Sequence, residues 1–340
     1  MYMAAGSGIP ELKTLLSGFV IPSFLSTRVL LVKALGATFA VATGMCLGKE
    51  GPFVHISTCV GYLVGRALPG SAQENGRAMR ELLSAACASG LSVAFGAPIG
   101  GVLFSYEEVS TFFPRGVLWR AFLCSAVAAG VLRELNPMGT GKLVLFEVEY
   151  EGGYGVGAYV VFLGLGVAGG VFGGLFCGMN YLWARWFRGF GVVKRNPVFE
   201  VAVVVLVTAV VQYVNPLTRE PGDVVLKNLL VDCGKSSVAK ESWVCQNEMA
   251  EGGVSWSYLG ECFCRSHVLL PLILFLPGYL LHGTLTKLIL TTITFGIKVP
   301  SGVIIPALDA GAFFGRLVGL FIPSISPGTL APAPPPHNPL

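Results

Sequence analysis

Eight long apolar stretches dominate this sequence, and glycine or proline separates or interrupts most of them. Of the 340 residues, 53% are hydrophobic and 12% are charged, about half the charged share of a typical soluble domain. A soluble fold cannot cover so much apolar surface with so few polar groups. We therefore expect an all-α polytopic membrane protein, with apolar stretches at about residues 29–47, 53–65, 82–106, 117–132, 157–187, 198–214, 267–297 and 302–323.

The lengths of these stretches are uneven. A simple membrane-spanning helix needs about 20 apolar residues, whereas several stretches are shorter and others are longer and contain glycine or proline. Short, interrupted segments are typical of transporters in which broken helices meet inside the membrane. Tilted ordinary spans with glycines at packing contacts are the alternative. The net charge of +4 is scattered and forms no basic stripe, so a nucleic-acid partner is not expected.

Charge in the connecting segments predicts a membrane orientation. Residues 185–195 contain four basic residues and no acid, which is typical of a cytosolic loop. The polar segment 215–266 follows one span later and is expected on the opposite, lumenal or external face. Disulfides, free thiols and a zinc site all remain open for the cysteines of this segment. These are Cys233, Cys245, Cys262 and Cys264.

The other cysteines lie in apolar stretches and are expected to be small core side chains. The proline-rich end of the chain, residues 324–340, is expected to be disordered. The core thiols are Cys46, Cys59, Cys87, Cys124 and Cys177.

The first motif that indicates chemistry is Gly6-Ser7-Gly8-Ile9-Pro10. Flexible glycines followed by proline in a first helical turn are typical of a helix start. The N–H groups and the positive dipole end of such a start attract anions, and the Ser7 hydroxyl adds a donor at the same place. A plain helix cap is the alternative for this motif taken alone.

The second motif, Gly48-Lys49-Glu50-Gly51-Pro52, is a break between two apolar segments. A carboxylate is electrostatically favoured at a helix amino terminus, yet an ionisable group between membrane segments is costly and is usually functional. Glu50 would occupy the place of an anion until a proton neutralises it, which makes it a candidate proton-coupled gate. A capping glutamate paired with a nearby lysine is the alternative.

The third motif, KVPSGVIIP at residues 298–306, is another break before an apolar segment and repeats the glycine and proline placement of the second. It would offer the backbone amides of Val303 and Ile304 to an anion. A turn without a binding role is the alternative for this motif alone, but three such breaks in one membrane protein favour a shared anion site. We therefore expect Ser7, Glu50 and Val303 to lie around a common pocket.

Further charged residues interrupt the apolar stretches. Adjacent helical residues point about 100° apart, so Glu107 and Glu108 are expected to differ in role: one relays protons and the other pairs with a base, or both are solvated at the interface. Lys33 either balances Glu50, or raises the local potential for anions, or extends to the interface. The sequence indicates no role for Asp309.

Together, GSGIP, GKEGPFVH, GVIIP and AFGAPIGGVLFSYEEVS resemble the CLC family of chloride channels and chloride/proton exchangers. The motifs occur in the family's order, and the resemblance covers nearly all of residues 1–322. It is closest to the intracellular exchanger branch of endosomes, Golgi and vacuoles, of fungal type. The resemblance implies an inverted-repeat fold with broken helices and a homodimer in the lipid bilayer. It also implies chloride and protons as transported partners, with no cofactor.

The family's functional residues carry over onto matching positions. The resemblance implies that Glu50 is the gating glutamate and that Glu108 is the internal proton-transfer glutamate of exchangers. A serine at position 7 is similar to the chloride-preferring members. The chloride-binding residues that the resemblance implies are Ser7, Gly48, Lys49, Glu50, Gly51, Val303 and Ile304.

The chain also departs from the family's pattern. Members usually have Phe where this chain has Ile304. They begin with two further helices before GSGIP and continue past residue 322 with several helices, one of which has a chloride-contacting Tyr, and often with nucleotide-sensing CBS domains. Residues 1–323 are therefore expected to form a partial transport core with an incomplete second repeat.

Chloride/proton antiport across an intracellular membrane is the expected function. A passive chloride channel is the alternative within transport, and a non-conducting subunit or assembly fragment is the alternative from another class. An enzyme is not expected, because the sequence shows no pairing of a nucleophile with a base or of metal ligands inside the membrane.

Overall fold

The computed structural model describes residues 2–68, 75–135, 139, 156–231, 243–250 and 276–325. These residues are mainly α-helical, and apart from an isolated bridge between Gly48 and Gly302 the described part contains no β-strand. In chain order the helices are α1 (Ile9–Leu16), α2 (Thr27–Ala42), α3 (Glu50–Ala67), α4 (Gly76–Phe95), α5 (Pro98–Phe104), α6 (Arg115–Leu135), α7 (Val156–Trp186), α8 (Gly191–Arg195), α9 (Pro197–Tyr213), α10 (Pro216–Arg219), α11 (Gly222–Leu230), α12 (Trp243–Ala250), α13 (Leu276–Thr294) and α14 (Ile304–Ile325).

The chain forms two compact units. The first unit consists of Met1–Phe146, Val192–Val205 and Thr294–Ile305. The second unit consists of Glu147–Gly191, Leu206–Ile293 and Pro306–Leu340.

The predicted breaks are helix starts. Helix α1 begins at Ile9 with Pro10 in its first turn, α3 begins at Glu50, and α14 begins at Ile304. The apolar stretch 82–106 is also divided: α4 ends at Phe95, a left-handed Gly96 follows, and α5 starts at Pro98. Proline in the first turn is compatible with a helix because the N–H that it lacks has no intrahelical partner there.

Helix α7 differs from the expectation of an interrupted segment. It is one continuous helix of 31 residues despite its many glycines. A Cβ added at any α7 glycine from Gly164 to Gly178 would meet nothing within 4 Å, so none of these seven marks a break or a close packing contact in the described part of the chain. By length and composition, two described helices could cross a membrane: residues Arg115–Leu135 of α6 and Gly157–Trp186 of α7.

The core of the first unit is built on α4, which packs against α3, α5 and α6. Small residues let the backbones of α3 and α4 approach closely, as is typical of membrane helix pairs. A Cβ at Gly61 would lie 2.6 Å from Ala86 Cβ, and a Cβ at Gly90 would lie 2.9 Å from the carbonyl oxygen of Phe53. Larger side chains fill the space around this contact. They include the buried Leu12, Leu16, Phe24, Val54, Leu83 and Leu91.

The predicted loop 215–266 contains the short helices α10, α11 and α12 among its described residues. Asn215 caps α10 by accepting the N–H of Leu217 and donates to the carbonyl of Tyr279 in α13 at 2.8 Å. These short helices are stable because they bury apolar side chains together, including those on one face of α11. The buried cluster around it consists of Leu217, Val225, Leu229, Val244, Leu276, Leu280 and Phe313.

The cysteine predictions have mixed outcomes. Cys46, Cys59 and Cys87 are buried as expected, whereas Cys124 and Cys177 are exposed, so the prediction of a core position was wrong for these two. Their helices α6 and α7 are apolar on exposed faces too, so an apolar neighbourhood in sequence does not indicate burial within the protein. Cys245 is disulfide-bonded, which confirms the disulfide alternative for this residue. The loop cysteines Cys233, Cys262 and Cys264, and the tail residues 326–340, lie outside the described residues.

The close contact of α3 with α4 leads to a stability prediction. Replacing Gly90 by Ala forces a methyl group against the backbone of α3, so we expect the thermal unfolding midpoint in detergent to fall, with a loss of about 1–3 kcal/mol. The matched control is Gly130→Ala in α6, where a Cβ meets nothing within 4 Å and alanine favours the helix. Equal unfolding midpoints for the two variants would contradict the packing described.

Candidate functional site

The GSGIP segment forms a sharp turn into α1. Gly6 and Gly8 have positive φ angles of 69° and 83°, a backbone conformation that glycine adopts readily. The side-chain oxygen of Ser7 accepts the N–H of Ile9 at 3.3 Å, and the hydroxyl proton takes no part in that bond. A Cβ at Gly8 would lie 2.5 Å from Nδ1 of His55, so the turn fits tightly over helix α3.

Backbone hydrogen bonds join the second and third motifs. The N–H of Gly48 donates to the carbonyl of Gly302 at 2.7 Å, and the N–H of Gly302 donates to the carbonyl of Gly48 at 2.8 Å. This reciprocal pair is an antiparallel bridge between two segments that are far apart in sequence. Each segment runs directly into a helix, so the bridge holds the amino ends of α3 and α14 next to each other.

The first motif pairs with the same segment. The N–H of Gly6 donates to the carbonyl of Val299 at 3.0 Å, and the N–H of Ser301 donates to the carbonyl of Gly6 at 3.3 Å. A Cβ at Gly51 would lie 2.6 Å from Ser7 Cβ and 3.6 Å from Gly302 Cα. All three predicted breaks therefore meet at one place in the first unit.

Glu50 is the first residue of α3 and is fully buried. Its carboxylate folds back over Gly48, because a Cβ at Gly48 would collide with Glu50 Oε2. The positive end of the α3 dipole favours a negative charge at this position. A side chain at position 48 would also crowd the backbone of the third motif, because a Cβ there would lie 3.3 Å from the carbonyl oxygen of Gly302. Glycine at this position therefore leaves room for both the Glu50 carboxylate and the Gly302 backbone.

The remaining chloride-site residues of the prediction border this junction. Lys49 is the N-cap residue of α3 and is half-buried, and Val303 and Ile304 are half-buried at the start of α14. The first N–H groups of a helix have no carbonyl partner within the helix. The junction therefore combines helix-start amides, a serine hydroxyl and one buried carboxylate, a set that can hold a small anion or exclude it.

Lys33 and His55 form a buried pair behind this junction. Lys33 Nζ lies 2.8 Å from His55 Nδ1, and both side chains are fully buried, so Lys33 does not extend to an interface. His55 Nε2 lies 3.3 Å from the carbonyl of Phe24, whose ring stacks on the imidazole. A charged lysine that donates to a neutral imidazole satisfies both contacts.

Glu107 and Glu108 lie in a π-helical segment, Ser105–Val109, that follows α5. Both are exposed, and Glu108 forms an ion pair of 3.4 Å with Lys13 of α1. The ion pair falls on Glu108, the acid to which the resemblance assigns proton transfer, so it does not divide the two roles between the acids as expected. The exposure of both side chains agrees with the alternative in which both acids are solvated. π-Helical segments occur frequently at functional sites.

Sequence reasoning missed Ser301. Its side chain is 1% exposed, and its hydroxyl has no hydrogen-bond partner among the described residues. The residue belongs to the third motif, but the glycine and proline pattern around it drew attention to the backbone instead. The described part of the chain also contains no group of three or more His, Cys, Asp or Glu side chains able to hold a metal ion.

Known proteins with similar sequences identify the family of this chain. The sequence profile of the voltage gated chloride channel family matches residues 1–336. The chain is 42% identical over 333 residues to the H(+)/Cl(-) exchange transporter 3 of Homo sapiens, covering 95% of this chain and 38% of that protein. It is 41% identical over 319 residues to the H(+)/Cl(-) exchange transporter 5 of Cavia porcellus, covering 93% of this chain and 41% of that protein. The chain thus spans about two fifths of the length of these relatives.

Solved structures show the same architecture. A eukaryotic CLC transporter matches with a TM-score of 0.64 and 26% identity over 97% of this chain and 49% of that chain. A slow cyanobacterial Cl-/H+ antiporter matches with a TM-score of 0.68 and 22% identity over 96% of this chain and 65% of that chain, a likeness of fold alone. The chain therefore belongs to the voltage gated chloride channel family and is a multi-pass membrane protein with the CLC fold.

Proposed function

We propose that this chain forms the core of a chloride/proton antiporter. The observation that supports the proposal is the junction of the three helix starts, where Ser7, Gly48, Gly51 and Gly302 lie in contact beside the buried Glu50. The relatives named above are H(+)/Cl(-) exchange transporters, which favours exchange as the activity.

Chloride binds at the junction through partial charges. The donors are the Ser7 hydroxyl and the backbone amides of Lys49 to Gly51, Val303 and Ile304. The Gly48 amide does not take part, because it donates to the carbonyl of Gly302. Because none of these donors is a full cation, the anion is stabilised without being trapped, as rapid conduction requires. Lys49 borders the site and raises the local potential.

Glu50 couples protons to chloride. As a carboxylate at the start of α3, it competes with chloride for the same electropositive position. Protonation removes the charge that holds the side chain there, so a proton and an anion exchange places. Glu108, exposed and paired with Lys13, receives the proton on the other side of the pathway.

Replacing Glu50 by Gln tests the coupling step. Glutamine has the same shape but carries no exchangeable charge, so we expect chloride flux to persist and chloride-driven proton movement to fall to the level of protein-free liposomes. The measurement records chloride release and pH together in reconstituted vesicles. Wild-type proton coupling in this variant would remove Glu50 from the mechanism.

Replacing Glu108 by Ala tests the proton pathway separately. We expect proton transport to be lost while chloride flux remains, because the chloride donors are untouched. The matched control is Glu107→Ala, which removes the neighbouring exposed acid of the same π-helical segment and should leave coupling near the wild-type value. Loss of coupling in the control alone would reverse the assignment of the two acids.

A passive chloride channel is the second candidate, and the family description names channels. Retention of an acid at position 108 favours exchange. A non-conducting assembly fragment would show no chloride flux alone and would alter the flux of a full-length partner on co-reconstitution.

The proposal also covers assembly and location. Residues 1–323 form the transport core, and the protein acts as a homodimer in an endosomal, Golgi or vacuolar membrane. The disulfide at Cys245 supports a lumenal position for the segment 215–266.

A further inference from the structure

Two buried lysine pairs occupy matching positions in the chain. In the first unit, Lys33 lies 2.8 Å from His55, and in the second, Lys287 Nζ lies 3.1 Å from Asp309 Oδ2. The partners are separated by 22 residues in each case. All four side chains are at most 4% exposed, so both lysines contribute their charge deep inside the protein.

The correspondence extends to the helices that hold the pairs. A constant spacing of 254 residues relates Gly48 to Gly302 and Pro52 to Pro306, and the same spacing relates the first residues of α3 and α14. It also relates Lys33 to Lys287 and His55 to Asp309. The equivalent residues Gly48 and Gly302 donate hydrogen bonds to each other.

The two pairs differ in net charge. His55 accepts from Lys33 through Nδ1 and faces the Phe24 carbonyl with Nε2, which fits a neutral imidazole, so the first pair retains the lysine's positive charge. Asp309 is an acid, so the second pair is neutral. In addition, Asp309 Oδ1 has no hydrogen-bond partner among the described residues. The Asp309 carboxylate therefore carries a full negative charge, although only one of its two oxygens accepts a hydrogen bond from a described residue.

Other charges also act on the two pairs. The exposed Glu11 in the first turn of α1 attracts Lys33 electrostatically. Asp223 at the start of α11 acts on Asp309 and adds further negative potential. Arg316 lies seven residues beyond Asp309 in α14 and donates to the carbonyls of Leu229 and Val231.

We propose that Asp309 sets the strength of chloride binding: by neutralising Lys287, it weakens the attraction of the amino terminus of α14 for chloride. Asp309 lies five residues beyond Ile304, the first residue of α14, which is about 7.5 Å along the helix axis. At such a distance a buried unit charge changes anion affinity substantially. The inference depends on the proposed function, because it assumes that chloride binds at Val303 and Ile304.

Replacing Asp309 by Asn tests this inference. Asparagine keeps the shape and an acceptor for Lys287, and its amide nitrogen replaces an oxygen without a described partner. Calorimetric titration of chloride into chloride-free protein in detergent should give a Kd about tenfold lower than that of the wild type. Structural damage alone would weaken binding, so the direction of the change separates an electrostatic effect from a packing effect. An unchanged or higher Kd would overturn the inference.

Three further variants make the test independent of one substitution. Lys287→Met combined with Asp309→Leu removes both charges, and this double variant should bind chloride with a Kd within about twofold of the wild-type value.

Two His55 variants test the same effect in the first repeat. His55→Asp creates a neutral pair with Lys33 and should raise the Kd for chloride about tenfold, whereas His55→Gln keeps a neutral acceptor and should leave the Kd unchanged. If Asp309→Asn does not fold, equal Kd values for the two His55 variants overturn the inference. A wild-type protein without saturable chloride binding would overturn the proposed function as well, which is a different result.

Discussion

The paired backbone hydrogen bonds between Gly48 and Gly302 are the constraint on which the candidate site depends. They join segments that lead directly into α3 and α14, and the contacts of Gly6 with Val299 and Ser301 add the turn before α1. Without these bonds, three helix starts would each present N–H groups separately. Held together, they concentrate the positive ends of several helices at one point, which is what a desolvated anion needs.

Glycine is essential to this arrangement because the contacts leave no room for side chains. Gly48 lies against the Glu50 carboxylate and the Gly302 backbone, and Gly51 lies against Ser7. These approaches allow amides rather than lysine or arginine side chains to form the site. An acid can then compete with the anion on comparable terms, which full cations would prevent. In the proposed mechanism, close packing and proton coupling therefore have the same structural origin.

Burial gives the few charges of this chain a large effect. With 12% charged residues, each ionisable group inside the protein dominates the potential around it. Lys33 and Lys287 occupy equivalent positions, yet their partners His55 and Asp309 leave different net charges. The two repeats can thus share a backbone design and still attract anions unequally.

The sequence alone determined the helical membrane class and the three helix starts, because hydrophobic runs and glycine–proline breaks are local signals. It also indicated Ser7 and Glu50 as candidate site residues, and the family resemblance added Glu108. Because each of the three helix starts offers N–H groups to an anion, the sequence also predicted that these distant segments lie around a common pocket. Tertiary structure decided how they meet, the continuity of α7, the exposure of Cys124 and the helices within residues 215–266. It also paired Asp309 with Lys287. These features depend on contacts between residues far apart in the chain, and no local pattern of side chains records which partner a buried charge will find.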